Sequence, residues 1–146
     1  MRSALWGLAS FVVVLAVAIQ FVPYGRDHTN PPTGAEVPWA DEATASLFAT
    51  ACADCHSHDT EWPWYASIAP VSWMVQRDVD EGRAAFNVST WPDVEDGDDA
   101  GETVRDGEMP PFPYPLTHPG ARLTDAEKAT LSAGLDATFG DEDDDD

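Results

Sequence analysis

Residues 4–22 read ALWGLASFVVVLAVAIQFV, a run of 19 positions in which only Ser10 and Gln20 are polar. At ~1.5 Å rise per residue this run makes a helix of roughly 28 Å, close to the ~30 Å hydrocarbon core of a bilayer. Arg2 precedes it and Pro23 ends it. Ala16-Val17-Ala18 has the small residues of a signal-peptide cleavage site. The apolar run nevertheless continues past it through Ile19, Phe21 and Val22, which suits an uncleaved anchor. Residues 1–23 are therefore read as membrane anchor or signal, with a transmembrane helix over 4–22 embedded in lipid. That reading places the rest of the chain on the periplasmic or extracellular side of the cell membrane.

Beyond Pro23 the pattern changes. Residues 23–40 hold four of the twelve prolines and no periodic apolar positions, so 24–40 are read as a tether. From residue 41 to residue 140 the apolar positions recur at helical spacing between Pro-rich loops. Asp41 caps a first helix reaching about Ala53, with Leu47, Phe48 and Ala51 on one face. Pro70 opens a second, whose stripe is Val71, Met74, Val75, Val79 and Phe86. Residues 90–106 are weaker, interrupted by Gly97 and Gly101. Thr124 and Glu127 form a capping box for a last helix in which Leu131, Leu135 and Phe139 recur until Gly140. No alternation of period two persists, so the fold class is all-α. The run 141–146, DEDDDD, is a like-charge tail expected to be disordered.

Charge narrows the function. Seven Lys and Arg stand against 27 Asp and Glu, giving a formal net charge of −20 over 146 residues. A phosphate-binding surface needs cations, so nucleic acid is excluded as a partner and an anionic lipid surface is disfavoured. The length suits one modest domain. Two cysteines make neither a disulfide framework nor a Cys₄ zinc site.

Their arrangement carries the chemistry. Cys52-Ala53-Asp54-Cys55-His56 is a CxxCH motif at the end of the first predicted helix. Two thiols three positions apart on a helical turn can form thioethers to neighbouring vinyl groups of one haem. The following His then lies beneath the iron as proximal ligand. Three other readings compete. Zinc could use Cys52, Cys55, His56 and His58, but four ligands within seven residues crowd a tetrahedron. A thioredoxin-like pair needs a βαβ context, which is absent. A plain disulfide suits an exported compartment.

Candidates for a sixth iron ligand are His28, His58, Met74, Met109 and His118. His58 follows His56 by two positions and points elsewhere on a continuing helix; His28 lies in the tether; His118 precedes Pro119 in a loop. Met74 belongs to an apolar stripe and reads as core. Met109 sits in GEMPPFPYP, where Pro110 and Pro111 stiffen the backbone, so its thioether would be placed before iron binds. Trp62, Trp64, Tyr65 and Trp73 suit either pocket lining or ordinary packing. Arg77 and Arg83 are read as pairing with Asp78, Asp80 or Glu81 rather than with haem propionates. Residues 93–108 lack EF-hand spacing and read as a solvated acidic face.

CADCH followed 53 residues on by GEMPP resembles the two haem-ligand signatures of class I cytochromes c. More closely, NPP, CADCHS, WPWYASIAPVSWMVQRDVDEGR and GEMPP…HP…RLTDAEK resemble a bacterial family of haem-binding domains, over residues 30–139. The resemblance implies thioethers at Cys52 and Cys55, iron held by His56, and support for Met109. It points to a small cytochrome c-like helical domain around one covalent haem c. The function expected is a membrane-anchored monohaem cytochrome, not an enzyme, passing single electrons to membrane-associated or periplasmic redox proteins. The alternative is a haem sensor or small catalytic haem protein with an open sixth position. A haem-free interaction module is a third. Eight acids lie in residues 93–108 and six in the tail. This distribution suggests either steering of a basic redox partner or adaptation of the whole surface to salt, the latter preferred.

Overall fold

A computed structural model describes residues 2–140, with side chains from Ala4 onward; the acidic tail 141–146 lies outside the described residues. Two of the helices begin where a side chain satisfies a free N–H group. Helix α1 spans Arg2–Ile19. Helix α2, Glu42–Ala51, is capped by the Asp41 carboxylate, which accepts from the Thr44 N–H at 2.7 Å. A short α3, Ala53–His56, follows after Cys52 bends the chain. Helix α4 is Val71–Ala85, α5 is Ala100–Arg105 and α6 is Tyr114–Thr117. Helix α7, Asp125–Phe139, carries the complete Thr124–Glu127 capping box. Single 3₁₀ turns at Trp64–Ser67, Val88–Thr90 and Pro119–Ala121 connect them. Among the described residues there is no strand, and the fold is all-α.

The core lies between α2, α5 and α7. Leu131 and Leu135 of α7 are buried against Phe48 of α2, Val104 of α5, and Phe86, Val88 and Val37 from the connections. Trp39, Phe48, Phe86, Trp91 and Phe139 extend it as an aromatic chain with centroids 4.9–6.1 Å apart. Helices α2 and α7 approach closely because residue 134 is Gly. A Cβ there would fall 1.8 Å from Thr44 Oγ1.

Two expectations are corrected. The apolar run 4–22 does not make a membrane-spanning helix: no helix among the described residues is long and apolar enough to cross a membrane. A single-pass protein of the cell membrane is therefore not supported. The physical reason lies at Gln20. Helix α1 stops at Ile19, and the Gln20 amide, which also donates back to the Ala16 carbonyl at 3.0 Å, ties this end to Ala69. Its Nε2 donates to the Ala69 carbonyl at 2.9 Å and its Oε1 accepts from the Ala69 N–H at 3.1 Å. The α4 stripe is also only partly core. Val79 and Phe86 are buried, but Met74 is 60% exposed beside a surface groove formed with Val22, Tyr24 and Trp73.

Residues 24–40 form no helix, yet they do not hang free. His28 stacks on Trp62 at 4.5 Å, and the Gly34 N–H donates to the Ser89 carbonyl. Asn30 donates to the Thr60 carbonyl and accepts from the Trp62 indole and the Arg83 guanidinium. The segment is strapped along the domain.

Candidate functional site

The Cys-His turn is built by a kink. Cys52 closes α2 through its N–H to the Phe48 carbonyl, then opens α3, where the Cys55 and His56 N–H groups both return to the Cys52 carbonyl at 3.0–3.1 Å. Ser57 leaves the helix in an extended conformation, and Thr60 and Glu61 fold back onto Asp54. All five motif residues are thereby held on one rigid turn.

Helix α4 lies against this turn because residue 82 is Gly. A Cβ at Gly82 would meet the Cys55 carbonyl oxygen at 2.6 Å and the Cys55 Cβ at 2.9 Å. This approach brings the end of α4 to His56, whose Nδ1 lies 2.9 Å from the Phe86 carbonyl oxygen. A carbonyl only accepts, so Nδ1 carries the proton and Nε2 presents its lone pair. Burial holds the imidazole pKa below its ordinary value, so the ring is neutral at pH 7.

Cys52, Cys55, His56 and Met109 line one cavity of about 670 Å³, with Phe48, Phe86, Val104 and Leu135 among its walls. The volume falls in the range of roughly 300–1,000 Å³ usual for cofactor sites. Ala51, Gly82, Ala85 and Ala100 keep other parts of the wall bare, and Asp78, Glu81, Asp96 and Asp99 line it as acids. Met109 comes from the loop after α5, its N–H donating to the Thr103 carbonyl at 3.2 Å. Tyr114 adds its ring, with its hydroxyl donating to Asp54 at 2.7 Å. Burial first, and Asp54 second, push the phenol pKa well above its usual range.

The thiols bear on the competing readings. Burial pushes Cys52 up to about 12 and Cys55 up to about 11, so neither is a ready thiolate of the kind a redox dithiol needs. A zinc site with His58 is not assembled. His58 Nδ1 bonds the Pro32 carbonyl at 2.7 Å and its Nε2 faces Asn87. No group of three or more His, Cys, Asp and Glu among the described residues is placed to hold a metal.

The other candidates lie elsewhere. His28 is held by Trp62 and the Ala66 carbonyl. His118 stacks on Tyr114 outside the cavity. Of the aromatic cluster, none of Trp62, Trp64, Tyr65 and Trp73 lines the cavity. Trp62 holds the 24–40 strap, and Trp64 is 78% exposed. Arg77 pairs with Glu81 at 2.7 Å as expected. Arg83 instead donates to the Ser57 carbonyl, the Thr60 hydroxyl and Asn30. All eight acids of residues 93–108 are exposed. Sequence reasoning missed Gly82, the Phe86 carbonyl and Tyr114. Only Gly82, a glycine inside a helical pattern, offered a signal.

An all-α domain with a half-open, largely apolar cavity, with a fixed neutral imidazole, two thiols and a thioether in its wall, is suited to a flat iron-bearing cofactor. The donor set fits haem, since soft sulfur and imidazole nitrogen both bind its iron. A family model described as haem-binding domain matches residues 14–137, and the chain belongs to that family. No curated protein and no solved structure matches it. Haem is the group this domain binds.

Proposed function

We propose that the protein is a single-haem c-type cytochrome that carries one electron at a time between redox proteins. Cys52 and Cys55 hold the haem through two thioethers. His56 Nε2 and the Met109 sulfur hold the iron, as in class I cytochromes c. The observation that carries this reading is the meeting of all four side chains in one cavity wall, although Met109 is 53 residues from His56.

A bound haem supplies a one-electron couple at its iron. The chain's own part is to hold that couple in place with little rearrangement. The Phe86 carbonyl fixes the His56 ring and its tautomer. Phe48, Val104 and Leu135 give the cavity an apolar wall. A thioether on the sixth position raises the potential. The reading assigns electron transfer and no substrate chemistry.

Haem stain on a denaturing gel and the optical spectrum of the oxidised protein test this. Wild type is expected to stain and Cys52→Ala to lose covalent haem. A thioether-to-iron charge-transfer band is expected in wild type and absent in Met109→Ala. Tight carbon monoxide binding by the unmodified reduced protein would overturn the Met109 assignment and favour a sensor or catalyst with an open sixth position.

A further inference from the structure

The cavity wall that follows Met109 is a segment with few anchors. Residues 110–123 include Pro110, Pro111, Pro113, Pro115 and Pro119, which have no N–H to donate. The N–H bonds of Tyr114, Leu116, His118, Ala121 and Arg122 all return to carbonyls within the segment. The Arg122 guanidinium likewise closes on the Pro115 and Leu116 carbonyls. Among the described residues, one hydrogen bond leaves residues 110–123 for the rest of the chain. The Tyr114 hydroxyl donates to Asp54 Oδ2 at 2.7 Å, across 60 positions of sequence.

Both partners of that bond are themselves fixed. Asp54 lies between Cys52 and Cys55. Its Oδ1 accepts from the Glu61 N–H at 2.8 Å, and its carbonyl accepts from the Thr60 hydroxyl at 2.7 Å. The Tyr114 ring is backed by His118, stacked at 3.9 Å with an interplanar angle of 11°. The bond therefore joins the segment that follows Met109 to the turn that carries both cysteines and His56, while Met109 itself is tied to α5 by its N–H bond to the Thr103 carbonyl.

We propose that the Tyr114–Asp54 hydrogen bond is a latch holding the Met109 segment against the Cys52–His56 turn. Tyr114 and Asp54 are positioning residues for the sixth iron ligand. The proposal rests on the reading above, in which Met109 holds the iron. With the latch closed, the thioether stays within reach of the iron. With it open, the segment is retained by the Met109 N–H bond to Thr103 and by the packing of Ala121 and Leu123, and small external ligands compete for the sixth position.

The test uses the full chain loaded with haem and follows imidazole affinity and the thioether charge-transfer band in the oxidised protein. Tyr114→Phe removes one oxygen and leaves the ring. It is expected to bind imidazole about tenfold more tightly than wild type, the scale of a lost charge-assisted hydrogen bond. Asp54→Ala is expected to match it. Asp54→Asn has one accepting oxygen for two donors, the Glu61 N–H and the Tyr114 hydroxyl, and removes the charge, so it is expected to fall between wild type and Tyr114→Phe. The double variant Tyr114→Phe/Asp54→Ala is expected to be no weaker a latch than either single, because both remove the same bond. If Asp54→Ala does not take up haem, Tyr114→Phe and Asp54→Asn carry the test. Suppose the band is present in wild type and lost in Met109→Ala, yet Tyr114→Phe binds imidazole like wild type. That result overturns the latch alone. A wild type without the band overturns the Met109 assignment instead. Effects of the two single variants that simply add would also overturn the latch.

Discussion

At the scale of single residues, Gly82 decides how closely α4 approaches the cysteine turn. Replacing a helical Gly by Ala ordinarily gains up to about 1 kcal/mol from propensity. Here the added Cβ would lie 2.6 Å from the Cys55 carbonyl oxygen, a backbone atom that cannot swing aside. Overpacking of this kind costs about 1–3 kcal/mol. Gly82→Ala is therefore expected to lower the urea midpoint and the yield of haem-loaded protein together. An unchanged or raised midpoint would show that the turn can move away. The CxxCH motif was legible because its chemistry is local, with five consecutive residues on one turn. Met109 stood out because two prolines mark its loop, and the structure places it in the same cavity wall. Gly82, the Phe86 carbonyl and Tyr114 act across 27, 30 and 60 positions. A backbone carbonyl in particular leaves no trace in side-chain identity.

At the scale of elements, the starts of α2, α4 and α7 follow from Asp41, Pro70 and Thr124 because caps and prolines act within one turn. The end of α1 does not, since Gln20 bonds Ala69, 49 positions away, as well as Ala16. The 24–40 strap was misread for a related reason. Proline content reports the absence of a helix, whereas the bonds of Asn30 to Thr60, Trp62 and Arg83 are tertiary. The aromatic residues after the motif were likewise legible as contacts but not as contacts to the strap. The α7 cap supports a pH prediction. Hydrogen bonds from the Thr124 backbone and hydroxyl hold the Glu127 carboxyl below its ordinary pKa. Its contribution is present above the unfolded value of about 4.5 and is lost as pH falls through the lower folded value. Thr124→Ala is expected to cost about 1 kcal/mol at pH 7. The deficit of Glu127→Ala is expected to shrink as pH drops below 4.5. Parallel urea midpoints for wild type and variant from pH 7 to pH 3 would argue that the cap contributes nothing through its charge.

At the scale of the whole molecule, the formal charge of −20 works against folding. Among the described residues only Arg77–Glu81 and Arg105–Asp136 form ion pairs, both at the surface. The acids line the cavity at Asp78, Glu81, Asp96 and Asp99, and cover the approach to α5 and its exposed side. Bringing them together in the folded state leaves a net repulsion whose range is set by salt. The Debye length falls from roughly 30 Å at 0.01 M to about 10 Å at 0.1 M and 3 Å at 1 M. Repulsion between acids on neighbouring elements is therefore felt at low salt and largely screened by 0.1 M. The thermal midpoint is expected to rise steeply with sodium chloride up to about 0.1 M and then level off. Each 1 kcal/mol recovered corresponds to about 4–8 °C for a domain of this size. The shape of the curve identifies the cause, because exclusion of salt from the surface strengthens with concentration and does not saturate near one Debye length. A midpoint that stays flat, or climbs only above 0.5 M, would mean that the unfolded chain carries the same repulsion and that the acidity has no folding cost to relieve.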